Sequence, residues 1–161
     1  MQYLLSSEFR IGLKHGGELG RGKRKERRVL CVKRPLHIVL KSSYSLLIRH
    51  RALVQRLLRS CALRYGVRVY EVSVNSNHIH LLVRGKTRLG IQSFLRVFSG
   101  QVAQFIMRAF KGHRLTQAFW LCPAFTRVLA WGRAFHVVRQ YVLRNQLEAS
   151  GLIAYLRPSR T

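Results

Sequence analysis

Residues 78–80 read His-Ile-His within the run "VNSNHIHLLVRG" (74–85), and Tyr141 and Asn145 lie further on within "FHVVRQYVLRNQLEASGLI" (135–153). In an extended segment alternate side chains point to opposite faces, so His78 and His80 share one face with Leu82, while Ile79, Leu81 and Val83 share the other. The two histidine backbones then stand about 7 Å apart. From there both rings converge on one cation at a bond length of about 2.1 Å. Tyr141 and Asn145, at i and i+4, share one helical face about 5–6 Å apart. They offer a phenol able to attack phosphorus and a neutral oxygen ligand. Spacing alone leaves plainer readings open: an exposed H-x-H pair, a tyrosine that only packs, and an asparagine that only ends a helix.

The chain holds few rival sets. Of 161 residues, 30 are Lys or Arg and 5 are acidic, a formal charge of +25. The acids are Glu8, Glu18, Glu26, Glu71 and Glu148, with no Asp at all. Two-metal carboxylate chemistry needs several converging acids and is nearly excluded. So large a positive excess on a folded domain points to a polyanion, with nucleic acid first. Structural binders share such charge, so it sets the partner and not the chemistry. Cys31, Cys61 and Cys122 are too dispersed for a zinc knuckle or a disulfide framework, and they read as buried thiols in a reducing compartment. The start "MQYLLSSEFRIGLKHGG" lacks a charged region leading into a sustained apolar one, and no apolar run is of membrane-spanning length. A cytoplasmic protein with no membrane partner is expected.

Positioning the histidines and the tyrosine requires a sheet and a helix. Residues 10–34, rich in Gly and basic residues, have neither period, and residues 1–33 are expected to form a flexible basic arm. After Pro35, "LHIVLK" alternates with Leu36, Ile38 and Leu40 on a core face. Helical spacing runs from Leu46 to Tyr65 and stops at Gly66. "VRVYEVSV" and "HIHLLV", joined by "NSN", predict an antiparallel hairpin. A second amphipathic helix is predicted over about 91–110, with Phe94, Leu95, Phe98, Val102, Phe105 and Ile106 inward. "AFWLCPAFTRVLA" reads as an extended edge segment interrupted by Pro123, and a last helix spans about 131–147. The order βαββαβα predicts a ferredoxin-like α+β fold, an antiparallel sheet with helices on one face and a C-terminal helix carrying the tyrosine. The domain is expected over 34–155, with a short basic tail at 156–161.

Several auxiliary residues follow from parity and charge. His37 has the parity opposite to the core residues of its strand, so it reaches the histidine pair if its strand neighbours theirs. An ordinary polar-face residue is the alternative. Glu71 sits on the neighbouring strand. Arg34, Lys41, Arg84, Lys86 and Arg88 flank the strand ends and suit phosphates, while Phe119, Trp120 and Trp131 either stack bases or fill the core.

The combination of "NHIHLLV" after a βα unit, a long amphipathic helix, an aromatic extended segment and "YVLRNQLEASGLI" resembles the single-tyrosine HUH transposases. The resemblance covers roughly residues 34–155 and is closest to the REP-associated tyrosine transposase branch. It implies a metal-dependent single-stranded DNA endonuclease of the bacterial, nucleoid-associated cytoplasm. In that family His78 and His80 would be metal ligands, Tyr141 the nucleophile and Asn145 the third ligand. The implied metal is Mg²⁺ or Mn²⁺, although two imidazoles by themselves favour a transition metal. The substrate would be single-stranded or hairpin DNA at a repeat, cut and rejoined through a 5′-phosphotyrosine. Related chains often carry Met-Pro where this one has Asn75 and Ser76, and Pro where it has Gln146, which leaves Gln146 as the alternative third ligand.

A non-catalytic single-stranded DNA or RNA binder and an inactive transposase remnant are the rivals, and the aromatic signature of RNA-recognition modules is missing. Monomer and homodimer both remain open. The +25 charge predicts that DNA affinity falls steeply with salt, by orders of magnitude between low and physiological ionic strength. Filter binding across a salt series checks this, and a flat response would contradict it.

Overall fold

The computed structural model describes residues 14–20, 27–108 and 117–154. Along the chain these form β1 (Lys14–His15), β2 (Leu36–Lys41), α1 (Arg51–Arg64), β3 (Val67–Val74), β4 (His78–Gly85), α2 (Arg88–Ile106), β5 (Phe125–Val128) and α3 (Arg133–Ala149). The sheet is antiparallel throughout, in the order β1-β5-β2-β4-β3. Without the short β1, that is the split βαββαβ order of an α+β fold.

Burial follows the strand period. Leu36, Ile38 and Leu40 of β2 and Ile79, Leu81 and Val83 of β4 are at most 2% exposed and face α1 and α2. α1 contributes Val54, Leu57, Leu58, Cys61 and Ala62, and α2 contributes Ile91, Phe94, Leu95, Phe98, Val102 and Ile106. Thr87 caps α2, its Oγ1 accepting from Gly90 N at 2.9 Å. Between α1 and β3 the chain reverses at Gly66, whose φ of +64° suits a residue without Cβ.

β3 carries one residue more than β4 between Val69 and Glu71, a bulge at Tyr70. Before it, Val67 and Val69 lie opposite Gly85 and Val83; after it, Val72 and Val74 lie opposite Leu81 and Ile79. The spacing 67, 69, 72, 74 is therefore one face of a single strand. Tyr70 packs instead with Leu82, Leu129, Phe135 and Val138 in a smaller cluster on the other face of the sheet. This second cluster seats α3 across the face that also carries His78 and His80. α1 and α2 thus cover one face and the C-terminal helix covers part of the other.

Several expectations are corrected. Phe105, expected inward, is 53% exposed, because Val102 and Ile106 take the core-facing phase of α2. α1 begins only at Arg51, after a 3-10 turn at Ile48–His50. Only Cys61 of the three cysteines is buried. The stretch read as having no strand period in fact pairs β1 with β5, Lys14 opposite Arg127 and His15 opposite Thr126. It gains order from an open sheet edge rather than from a pattern of its own. Residues 1–13 and 21–26 of that arm, the break at 109–116 and the tail at 156–161 lie outside the described residues. Among the described residues no helix is long and apolar enough to cross a membrane.

The two phenylalanines on α2 test this packing. Phe94→Ala should cost about 3–5 kcal/mol, because Phe94 is fully buried and stacked on Phe98. Phe105→Ala should change stability by about 0.5 kcal/mol or less. Urea denaturation of both variants reads the difference, and equal losses would refute the assigned helix face.

Candidate active site

The pairing of β2 with β4 sets Lys41 opposite His78, Val39 opposite His80 and His37 opposite Leu82. His37, His78 and His80 therefore point to the face opposite the main core. His37 Nε2 lies 3.2 Å from His80 Nδ1, and the two rings stack with centroids 5.4 Å apart. The His78 and His80 rings stand 4.8 Å apart, nearly perpendicular. α3 brings Tyr141 edge-on to His80 at 5.4 Å and to His37 at 6.3 Å. The structure thus gathers four rings that the sequence placed on three elements, with Tyr141 49% exposed and His80 5%.

The ring nitrogens are unequally engaged. His78 Nδ1 meets Asn77 Oδ1 at 2.8 Å, and His80 Nδ1 meets His37. His80 Nε2 is buried with no hydrogen-bond partner among the described residues. A buried polar atom without a partner needs a reason, and a cation-binding role is one. Burial pushes His80 down to about 3 from the ordinary 6.5, helped by the neighbouring His37 and His78. His37 is pushed down to about 4 by burial and then by Arg127. His78 is lowered by burial and then by Lys41. All three are neutral at pH 7, the form in which imidazole ligates a metal.

Asn145 continues the Tyr141 face one turn along α3. Its Nδ2 donates to Tyr141 O at 2.8 Å, which leaves Oδ1 as its acceptor atom. Gln146 turns about 100° away around the helix. With its amide oriented to satisfy its neighbours, its nitrogen donates to Val72 O at 3.3 Å on the outer edge of β3 and its oxygen accepts from the Arg51 guanidinium. Glu71 is engaged by Arg139 at 2.9 Å. Among the described residues no group of three His, Cys, Asp or Glu is placed to hold a metal ion.

The basic candidates separate. Arg34 and Lys86 are exposed, and Arg84, half-buried, lies opposite Arg68. Lys41 pairs with Glu18 at 2.7 Å, a bond that raises its pKa. Arg88 donates to Arg28 O at 2.7 Å and Leu30 O at 3.4 Å, anchoring the segment that leads into β2. Of the aromatics, Phe119 is buried and Trp120 donates to Ser99 O, while Trp131 stays 47% exposed. Sequence reasoning missed Asn77 and Arg127. Asn77 had a signal, an amide directly before the first histidine; Arg127 had none, because only the β2–β5 register brings it opposite His37.

Comparison with known proteins bears on the fold and the family. The fold is similar to that of a REP-associated tyrosine transposase solved bound to a REP hairpin, with a TM-score of 0.56 and 11% identity, covering 81% of this chain and 76% of that one. A candidate transposase from Deinococcus radiodurans R1 matches at a TM-score of 0.47 and 20% identity, over 76% of this chain and 98% of that one. No curated protein matches the sequence. Residues 32–145 match the family described as Transposase IS200 like, and the chain belongs to that family of transposases.

The lowered histidines have a consequence for stability. Their folded pKa values lie below 6.5, so the unfolded chain takes up protons first as pH falls. Stability is full above about 6.5 and declines as pH drops toward the folded values. In chelator-containing buffer the melting temperature should begin to fall between pH 6.5 and 5, ahead of the usual carboxylate range. A melting temperature flat over that window would contradict the burial of these rings.

Proposed function

We propose that the chain cleaves and rejoins single-stranded DNA, at a repeat or hairpin, through a 5′-phosphotyrosine on Tyr141. The observation that carries this reading is the half-exposed Tyr141 ring set against His80 and His37 on one face of the sheet. The family is one of transposases, and the similar fold of the REP-associated enzyme was solved on a REP hairpin.

His78, His80 and Asn145 suit a divalent metal, Mg²⁺ or Mn²⁺: the imidazoles are neutral, each Nδ1 is engaged, and His80 Nε2 is otherwise orphaned. When bound, the metal supplies Lewis-acid polarisation of a non-bridging phosphate oxygen. The residues do the rest. Arg34, Arg84 and Lys86 offer cations to the backbone, and Lys41 joins them when phosphate replaces Glu18 as its partner. Tyr141 Oη attacks phosphorus in line, its proton passing to water at this half-exposed position. The P–O3′ bond breaks, and the departing 3′ oxygen takes up a proton. The phosphodiester energy is conserved in the tyrosyl ester, so a second 3′-hydroxyl reverses the step without an external energy source.

Tyr141→Phe removes one oxygen and leaves the ring. DNA affinity should stay within about two-fold, while cleavage and the denaturation-resistant protein–DNA adduct disappear. Labelled oligonucleotides from the flanking repeats, incubated with Mn²⁺ and run on denaturing gels, read both. A Phe variant that still cuts as the wild type does would replace the tyrosine with water or another nucleophile. A wild type that binds but never forms the adduct would favour a non-catalytic binder.

A further inference from the structure

The two imidazoles proposed above as ligands each engage a neighbour through Nδ1, but the neighbours differ. His78 Nδ1 meets an amide oxygen, Asn77 Oδ1, at 2.8 Å. An amide oxygen only accepts, so His78 carries its hydrogen on Nδ1 and keeps the Nε2 lone pair. His80 Nδ1 instead meets another imidazole nitrogen, His37 Nε2, at 3.2 Å. Only one hydrogen fits between them. If His37 donates it, the hydrogen of neutral His80 moves to Nε2, a buried position with no acceptor among the described residues. A buried N–H left without an acceptor is unfavourable. If His80 donates, its Nε2 lone pair is left exposed to a ligand, as on His78.

We propose that His37 is the positioning residue for His80, accepting the His80 Nδ1 hydrogen on its own Nε2 and so holding the His80 Nε2 lone pair ready for the metal. His37 touches neither metal nor DNA in this role. It stands where ligating histidines in general have a carboxylate, a backbone carbonyl or a water at the second nitrogen. The chain has no Asp and only five Glu, and Glu71, an acid on the same sheet face, is held by Arg139. A neutral imidazole 43 residues away in sequence fills the place, set there by β2–β4 register and steadied by the edge of Phe125 at 6.4 Å.

The inference rests on the metal reading of His78 and His80, and the test keeps the two apart. Mn²⁺ binding to the full chain is titrated by electron paramagnetic resonance, without DNA, for wild type, His37→Ala and His37→Gln. The Ala variant should bind about 10–100-fold more weakly. The Gln variant, whose amide oxygen can stand near the His37 Nε2 position, should recover most of that loss. In metal-free protein, long-range ¹H–¹⁵N spectra should show His80 as the Nδ1–H tautomer, and in the Gln variant that tautomer should persist. Ala binding as tightly as wild type, Gln no better than Ala, or His80 protonated on Nε2 would each overturn the assignment. Wild type that binds no Mn²⁺ overturns the metal reading and this role with it. Thermal melts of each variant exclude unfolding as the cause, and the tautomer spectrum of the wild type decides the matter should Ala fail to fold.

Discussion

The antiparallel register of β2 on β4 is the constraint on which the rest depends. It is held by burial on one face: Ile38 lies opposite Leu81, Leu36 opposite Val83 and Leu40 opposite Ile79, all at most 2% exposed. Strand side chains have a period of two, so a slip of one residue in β4 would drive its aliphatic side chains to the opposite face and His80 into the core. The ring pair of His37 and His80 on the far face is thus fixed by packing that neither ring takes part in. Ser42 N bonding to Asn77 O at 2.7 Å and Leu47 N to Ser76 O at 2.9 Å clamp the hairpin turn that presents His78.

The electrostatics divide along the same line. Each acid among the described residues is paired with a cation: Glu18 with Lys41, Glu71 with Arg139 and Glu148 with Arg144. Other described cations meet neutral groups, as Arg28 does at Ala124 O, Arg51 at Ser150 Oγ and Arg68 at the Tyr70 ring, and a polyanion is the natural complement for the net charge of +25. Within that positive molecule the histidine cluster is neutral, because burial and nearby cations both oppose a further positive charge. In the function proposed above, a neutral set of lone pairs inside a cationic surface separates two tasks, binding phosphate broadly and engaging one phosphate chemically.

α3 is what turns a histidine-bearing sheet into a candidate active site. Its inward residues Phe135 and Val142 are buried, and its side residues divide. Tyr141 leans to the histidines, while Arg139 and Gln146 lean to the outer strand β3, where they hold Glu71 and cover the strand edge. The Tyr70 bulge contributes by lifting an aromatic ring out of the strand pattern into the cluster under the start of α3.

The sequence by itself determined the local features. Alternation marked β2, β3 and β4, a polar turn marked the hairpin, helical spacing marked the buried faces of α1 and α2, and the i, i+4 interval put Tyr141 and Asn145 on one face. It also carried the motif by which the family was recognisable. Periodicity is a property of neighbours along the chain, so it is silent on what packs against what. Only the tertiary structure decided that β2 lies beside β4 and brings His37 to His80, that Glu71 is taken by Arg139, and that Gln146 turns to the β3 edge. It also decided that Phe105 faces outward and that Lys14–His15 add to β5. The bulge lies between the two cases: the valine spacing 67, 69, 72, 74 was visible in the sequence, but an extra residue in a strand has meaning only against the partner strand that lacks it. Each of these contacts joins residues far apart in sequence, and the free energy that selects it comes from surfaces that exist only once the sheet has formed.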